Sequence, residues 1–463
     1  MTITIRCISP VDGRIVAERP AASHAAVSAA LAAARKAQAA WRRVPIEERA
    51  ALCTKAVDAM LGMRDAIVPE LAWQMGRPVR YGAGELRGFE ERARYMIAIA
   101  ADALAPVKAE PKEKFSRWIA RDPLGVVFVI APWNYPYLTA VNSVIPALMA
   151  GNAVILKHAA QTLLVGERFR MAFEAAGLPE GLFQTLVLTH EQTAGIIRDR
   201  MVDQVNFTGS VAGGRAMEEA AAGTFTGLGL ELGGKDPAYV REDADLSQAV
   251  ENLVDGAFFN SGQSCCGIER IYVHHSLYDA FVEGCVTLAK TYVLGNPLDE
   301  MTTLGPMVKA DAAEFCRRQV AEAVGMGAKA LLDPDHFTYD EVGTPYMAPQ
   351  IVVGVTHAMS IMREESFGPI VGIMPVADDA EAIRLMNDSP YGLTASLWTS
   401  DAEAAARIGA DVETGTVFMN RCDYLDPALA WTGVKDTGRG ATLSRVGYET
   451  LTRPKSFHLR LSF

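Results

Sequence analysis

The sequence predicts an α/β protein whose main sheet is parallel and covered by helices on both faces, a Rossmann-like architecture. Two observations predict it. From Leu124 onward, short β-branched runs alternate with helical stretches, and the apolar runs are continuous, as in strands buried on both faces. Four of five polar or glycine-rich segments fall where those strands end, which is where open parallel sheets collect ligands.

The elements follow in order. Ser23 to about Leu104 is helical, with alanine, leucine and charged residues at helical spacing in Ala25 to Trp41 and Ile46 to Met63. Ala105 to Lys114 is extended and polar, and its two prolines, Pro106 and Pro111, stop the helical run. Val126 to Ile130 is a buried strand, and Tyr137 to Met149 the helix after it. Ala153 to Leu156, Phe183 to Leu188 and Gln204 to Phe207 continue as strands, with a helix at Leu163 to Ala175. After Glu231 a second α/β segment has helices at Asp245 to Phe258 and Leu277 to Tyr292. Its strands are Arg270 to Val273, Val371 to Met374 and Thr416 to Met419. Ser456 to Phe463 alternates polar and apolar like a strand that completes another sheet.

The totals exclude several classes. A chain of 463 residues, 50% hydrophobic and 21% charged, has the composition of an ordinary globular protein with room for two or three domains. A net charge of -11 argues against a nucleic-acid surface, which needs a basic patch. No apolar run is long enough to span a bilayer, and Met1 to Arg6 lacks the apolar core of a signal peptide. The seven cysteines are irregularly spaced, a poor disulfide framework, so a reducing cytoplasm is the expected compartment. The eight histidines include no H-x-x-x-H or H-E-x-x-H, and no metal site is expected.

Five segments stand out for chemistry. They are Ala131-Pro132-Trp133-Asn134-Tyr135-Pro136, Lys157 after Gly151-Asn152, Phe207-Thr208-Gly209-Ser210, Glu231-Leu232-Gly233-Gly234-Lys235 and Asn260-Ser261-Gly262-Gln263-Ser264-Cys265-Cys266. Each alone has a bland explanation: a cysteine in a turn as filler, Thr-Gly-Ser as a helix cap, a strand-end lysine in solvent. No G-x-G-x-x-G is present to argue dinucleotide binding.

Together and in this order they resemble the aldehyde dehydrogenase superfamily, from about Ile8 to the C-terminus. Glu365 with Phe367-Gly368-Pro369, Asn387-Asp388-Ser389-Pro390-Tyr391-Gly392-Leu393 and Gly415-Thr416-Val417 extend the resemblance. It implies that Cys265 attacks the aldehyde, Asn134 and the Cys265 N–H hold the oxyanion, and Glu231 activates the water that hydrolyses the thioester. Cys266 is a passive neighbour. It implies NAD or NADP as cofactor, with Lys157 on the adenosine ribose, Gly209 and Ser210 at the pyrophosphate, Trp133 lining the pocket, and Glu365 and Phe367 at the nicotinamide ribose.

The sequence departs from the family pattern in places. Ala160 stands where many relatives carry the acidic residue that binds the ribose hydroxyls and repels a 2′-phosphate, which leaves NADP open. Ala430-Trp431-Thr432-Gly433-Val434-Lys435 replaces the familiar Pro-Phe-Gly-Gly-x-Lys, and Asn142 occupies an often aromatic position. With Tyr135, Arg421 and Tyr424, these residues outline a substrate mouth that suits a polar aldehyde or semialdehyde, with Arg421 as carboxylate partner.

The resemblance implies a Rossmann-like NAD(P)-binding domain of residues 1–104 and 124–233, an α/β catalytic domain of 234–445, and a small β oligomerisation element of 105–123 and 446–463. A homodimer or homotetramer follows from it. Two rivals stay open: a dehydrogenase that releases its thioester to coenzyme A, and a catalytically silent structural protein of the same fold.

Overall fold

A computed structural model describes residues 3–462. The strands β1 (Thr4–Ile8) and β2 (Ile15–Pro20) form an antiparallel hairpin. The helical run then divides into α1 (His24–Trp41), α2 (Ile46–Leu61), α3 (Arg64–Met75) and α4 (Val79–Ala103). Ser23 caps α1 through its side chain, and Gly76, at φ 84°, ends α3 in the left-handed conformation glycine favours. Pro78 then starts α4.

The short strand β3 (Val107–Lys108) and the longer β4 (Phe115–Pro123) lead into the first large sheet. Its elements are β5 (Val126–Ala131), α5 (Pro136–Met149), β6 (Ala153–His158), α6 (Leu163–Ala175), β7 (Phe183–Thr185), α7 (His190–Arg198), β8 (Gln204–Thr208), α8 (Val211–Ala221) and β9 (Gly227–Glu231). The strands lie in the order β9-β8-β5-β6-β7, all parallel. Every residue of β5 and β6 is buried, which is why their sequences are apolar without alternation. The strand order reverses between β5 and β8, so the crevice that binds ligands in such sheets opens beside Ala131 and Thr208. The strand expected over Phe183 to Leu188 ends at Thr185, because the chain turns toward the Thr189 capping box of α7.

The second sheet takes β10 (Asp236–Val240), α9 (Leu246–Phe258), β11 (Ile268–His274), α10 (Tyr278–Ala289), α11 (Ala310–Gly325), β12 (Lys329–Ala330), β13 (Gln350–Val353), β14 (Ile370–Val376), α12 (Asp379–Asn387), β15 (Tyr391–Gly392), β16 (Thr394–Trp398), α13 (Ala402–Asp411) and β17 (Thr416–Met419). Its order is β12-β13-β14-β11-β10-β16-β17, parallel except for β12; β15 pairs outside it with β18 (Val434–Lys435). The strand β19 (Gly438–Arg439), from within the segment assigned to the catalytic domain, adds antiparallel to β9 of the first sheet. After α14 (Ser444–Glu449), the terminal strand β20 (Thr452–Arg460) pairs along the whole of β4. The expected strand thus starts earlier and ends at Arg460; Phe463 lies outside the described residues. Among the described residues no helix is long and apolar enough to cross a membrane.

Candidate active site

The two large sheets meet around a cavity of about 280 Å³ whose wall includes Cys265, Glu231, Tyr135, Asn142, Trp431 and Arg92. Cys265 sits in the turn between α9 and β11, half-buried. The turn is tight: Asn260, Ser261 and Gly262 all adopt positive φ, 54°, 57° and 68°. Left-handed geometry at two non-glycine residues is strained, and it persists because neighbours fix it. The Asn260 amide donates to the carbonyls of Asn134 and Gln263, while its oxygen accepts from Arg77. Arg77 is 2% exposed, forms a buried ion pair with Glu85, and also donates to the Asn134 carbonyl at 2.6 Å. Glu85 in turn accepts the backbone N–H groups of Tyr137 and Leu138 at the start of α5.

This network ties the turn of Cys265 to the turn of Asn134. The Asn134 side-chain amide donates to the Gln263 carbonyl at 3.2 Å, two residues before Cys265. An amide has a second N–H, which remains for an oxyanion. Gly234 packs against the same turn: a Cβ there would lie 2.9 Å from the Cys265 carbonyl oxygen.

Glu231 ends β9. Burial pushes its carboxyl pKa up, while hydroxyl donors oppose the shift. Thr442 donates at 2.5 Å and Thr208 at 3.1 Å. Cys266 is 2% exposed and donates to Asp423 at 2.9 Å. Its thiol is pushed well above the ordinary range by the hydrogen bond with Cys265, then by burial and the Asp423 carboxylate. A thiol held protonated is a poor nucleophile, which counts against Cys266 in that role.

The residues expected at the cofactor lie along the carboxyl edge of the first sheet. Lys157, near the end of β6, is buried, and among the described residues its ammonium has no hydrogen-bond or ion-pair partner. His158 beside it is neutral: burial pushes its pKa down to about 4. Its Nδ1 faces the Ala159 N–H and the Thr162 hydroxyl, so its Nε2–H donates to the Pro136 carbonyl. Ala160 is exposed at the start of a 3-10 turn. Ser210 caps α8, its hydroxyl accepting from the Gly213 N–H, and Gly209 donates to the Glu231 carbonyl. Trp133 and Phe367 meet edge to face at 5.7 Å, and Glu365 accepts from the Gly234 N–H. Burial and nearby Glu269 push the Glu365 carboxyl up to about 8. A free ammonium, a carboxyl group and a glycine-lined edge fit the ribose hydroxyls and phosphates of a dinucleotide.

Sequence reasoning missed several residues of this site. Glu269 forms a buried ion pair with Lys235 at 2.5 Å and accepts the N–H groups of Ser366 and Phe367, so it fixes the loop that carries Glu365 and Phe367. Arg92 and Glu85 lie on the buried face of α4 with Phe89 and Met96. Charges within an apolar stripe were the available signal. Thr208 lies in a segment that stood out for chemistry, though not for a contact with Glu231; Thr442 gave no signal.

The substrate residues divide. Tyr135, Asn142 and Trp431 line the cavity; Arg421 and Tyr424 do not. Arg421 is exposed, its guanidinium 3.5 Å from the centre of the Tyr424 ring, and the Tyr424 hydroxyl donates to Glu91 at 2.6 Å. Asn420 and Asp423 both take positive φ, 52° and 47°. That turn aims Asp423 and Leu425 into the cavity and leaves Arg421 outside. Arg421, expected as carboxylate partner, is thus placed outside the wall of this cavity.

A thiol and a carboxylate in one cavity, beside the carboxyl edge of a Rossmann-like sheet, suit an oxidoreductase. Comparison with known families makes the assignment specific: the model of the aldehyde dehydrogenase family matches residues 2–457, and the chain belongs to that family. An aldehyde dehydrogenase of Paenarthrobacter nicotinovorans is 35% identical over 91% of this chain and 93% of its own length. A succinate-semialdehyde dehydrogenase [NADP(+)] of Mycolicibacterium paratuberculosis is 33% identical over 98% of this chain and 96% of its own. The crystal structure of an NAD-dependent aldehyde dehydrogenase from Sinorhizobium meliloti superposes with a TM-score of 0.95 at 32% identity, covering 100% of this chain and 92% of the other. The protein is an NAD(P)-dependent oxidoreductase that acts on an aldehyde.

Proposed function

We propose that the protein oxidises a polar-tailed aldehyde, of the semialdehyde kind, to its carboxylate through a covalent intermediate on Cys265. The observation that carries the reading is the placement of Cys265 and Glu231 in one cavity with Asn142 and Arg92 on its wall. Cys265 attacks the carbonyl carbon as thiolate, and the developing oxyanion takes the free N–H of Asn134 and the Cys265 backbone N–H. When bound, the nicotinamide supplies the acceptor for the hydride that the thiohemiacetal must lose. Glu231 then takes a proton from the water that attacks the thioester, and Cys265 leaves as thiolate. The polar wall disfavours a plain alkyl tail, whose burial would leave its donors unmet. The succinate-semialdehyde activity named for the Mycolicibacterium relative supports the same substrate class.

Lys157, Ser210, Glu365 and Phe367 hold the dinucleotide in this reading, with Trp133 and Gly209 beside it, and Ala160 admits a 2′-phosphate. The protein works in the cytoplasm as a homodimer or homotetramer, with the sheet of β20, β4 and β3 as the contact surface; exposed Val107 and Ile119, paired across β3 and β4, support this.

The test uses Glu231→Gln with aldehyde and NAD(P), read by intact mass and peptide mapping. An acyl group trapped on Cys265 is expected. Full steady-state turnover by this variant, or an adduct on Cys266, overturns the assignment. Product analysis of the wild type with and without coenzyme A decides between hydrolysis and acyl transfer.

A further inference from the structure

The wall of the Cys265 cavity formed by α4 and α5 contains donors with nothing to donate to. Arg92 is 8% exposed, on the face of α4 that packs against α5. Its Nη1 donates to the Leu138 carbonyl at 2.8 Å and stands 3.5 Å from the Asn142 side-chain oxygen. Among the described residues its Nε and Nη2 have no partner, and no carboxylate lies within ion-pair distance. Glu85, the acid on the same helix face, is taken by Arg77 and by the first N–H groups of α5. Asn142 is 2% exposed, and its side-chain Nδ2 is buried without a hydrogen-bond partner. Both residues line the cavity that holds Cys265 and Glu231.

The chemistry of these atoms narrows what the pocket takes. A guanidinium and an amide NH2 are donors only. A neutral hydroxyl or carbonyl would meet one donor and bring no charge to a buried guanidinium that Glu85 and Glu231 answer only from beyond ion-pair distance. A carboxylate supplies two oxygens, enough for the guanidinium and the amide together, and the opposite charge. Three acids line the same cavity but none pairs with Arg92: Glu231 is gripped by Thr208 and Thr442, Asp423 accepts from Ser264 and Cys266, and the Asp255 pKa is pushed up to about 6 by burial and by Asp423.

Resting on the semialdehyde reading and deepening it, we infer that Arg92 and Asn142 form the subsite for a carboxylate at the far end of the aldehyde. The pair determines specificity, selecting ω-carboxy aldehydes over alkanals of equal length. Asn142 reaches the site because Tyr135, Leu138, Thr139 and Asn142 share one face of the turn and helix that begin at the Asn134 loop. The oxyanion donor and the tail donor are therefore presented by one continuous segment.

The test compares ω-carboxy aldehydes of four to six carbons with the alkanals of the same chain length, as ratios of kcat/KM. Wild type, Arg92→Met, Asn142→Leu and Arg421→Ala are measured. The wild type favours the carboxy aldehyde at its best chain length. In Arg92→Met that ratio falls at least about thirtyfold, mainly through KM. In Asn142→Leu it falls about fivefold. Arg421→Ala keeps it, since Arg421 is outside the cavity. If the wild type prefers alkanals at every length, the polar-tail reading falls and this subsite with it. If the wild type prefers carboxy aldehydes but the ratio is unchanged in Arg92→Met, or is lost in Arg421→Ala, the subsite alone is overturned. Should Arg92→Met fail to fold, an unchanged ratio in Asn142→Leu overturns it equally.

Discussion

Removing one hydroxyl, in Thr442→Val, tests how the catalytic base is held. Thr442 donates to the Glu231 carboxylate at 2.5 Å, with Thr208 on the other oxygen at 3.1 Å. Burial favours the protonated acid; the two hydroxyls, Thr442 more than Thr208, and Arg92 oppose it. Valine keeps the shape and removes the donor. A hydrogen bond to a charged group contributes about 1.5–3 kcal/mol. Its loss strengthens proton binding at Glu231 by about ten- to hundredfold. A general base works only when deprotonated, so the acid limb of hydrolysis moves to higher pH. The decay of the acyl-enzyme, followed by quench and mass spectrometry across pH, is slowed near neutrality and recovers in alkali. Acylation of Cys265 is affected less. Thr442→Ser restores the profile, and Thr208→Val moves it in the same direction by a smaller step. An acid limb that stays in place or moves to lower pH in Thr442→Val refutes the reasoning.

Cys265→Ala is expected to abolish dehydrogenase activity while NAD(P) binding, read by fluorescence titration, persists; Cys266→Ala keeps most activity. Ala160→Glu should lower kcat/KM for NADP more than for NAD, because a carboxylate at this exposed position repels a 2′-phosphate and neutral His158 offers no compensating charge. Equal losses with both cofactors would place the ribose elsewhere. Glu269→Gln leaves Lys235 buried without its counter-charge, at about 3–5 kcal/mol, and loosens the Ser366–Phe367 backbone. Its thermal midpoint should drop, and its KM for NAD(P) should rise while that for the aldehyde holds.

The sequence shows the first sheet well because burial on both faces dictates its residues. Val126 to Ala131 and Ala153 to Leu156 have no polar position to spoil the pattern, and the motifs after them inherit a strand end. Cys265 and Glu231 were equally legible, since each sits in a motif. Their surroundings were not. Thr442 reaches Glu231 across 211 residues and Asn260 reaches Asn134 across 126, separations that no local pattern encodes. The position of Arg421 outside the cavity wall has a different cause. Side chains in a loop alternate only while the backbone stays extended, and the positive φ at Asn420 and Asp423 breaks the alternation.

The distribution of buried positive charge links cofactor and substrate. A buried cation is tolerated only when something answers its charge or takes its donors. Arg77 is answered by Glu85 and Lys235 by Glu269. Arg270 donates to the carbonyls of Lys235, Leu385 and Met386, and Arg49 to those of Met149 and Arg42. Among the described residues, Lys157 and Arg92 are the buried cations left with accessible donors. Lys157 stands where the first sheet presents its carboxyl edge, and Arg92 where the cavity holds the nucleophile. Within the protein alone both positions cost stability. Under the proposed assignments a dinucleotide and an anionic aldehyde answer these charges, so the groups that select the ligands would also strengthen the occupied fold.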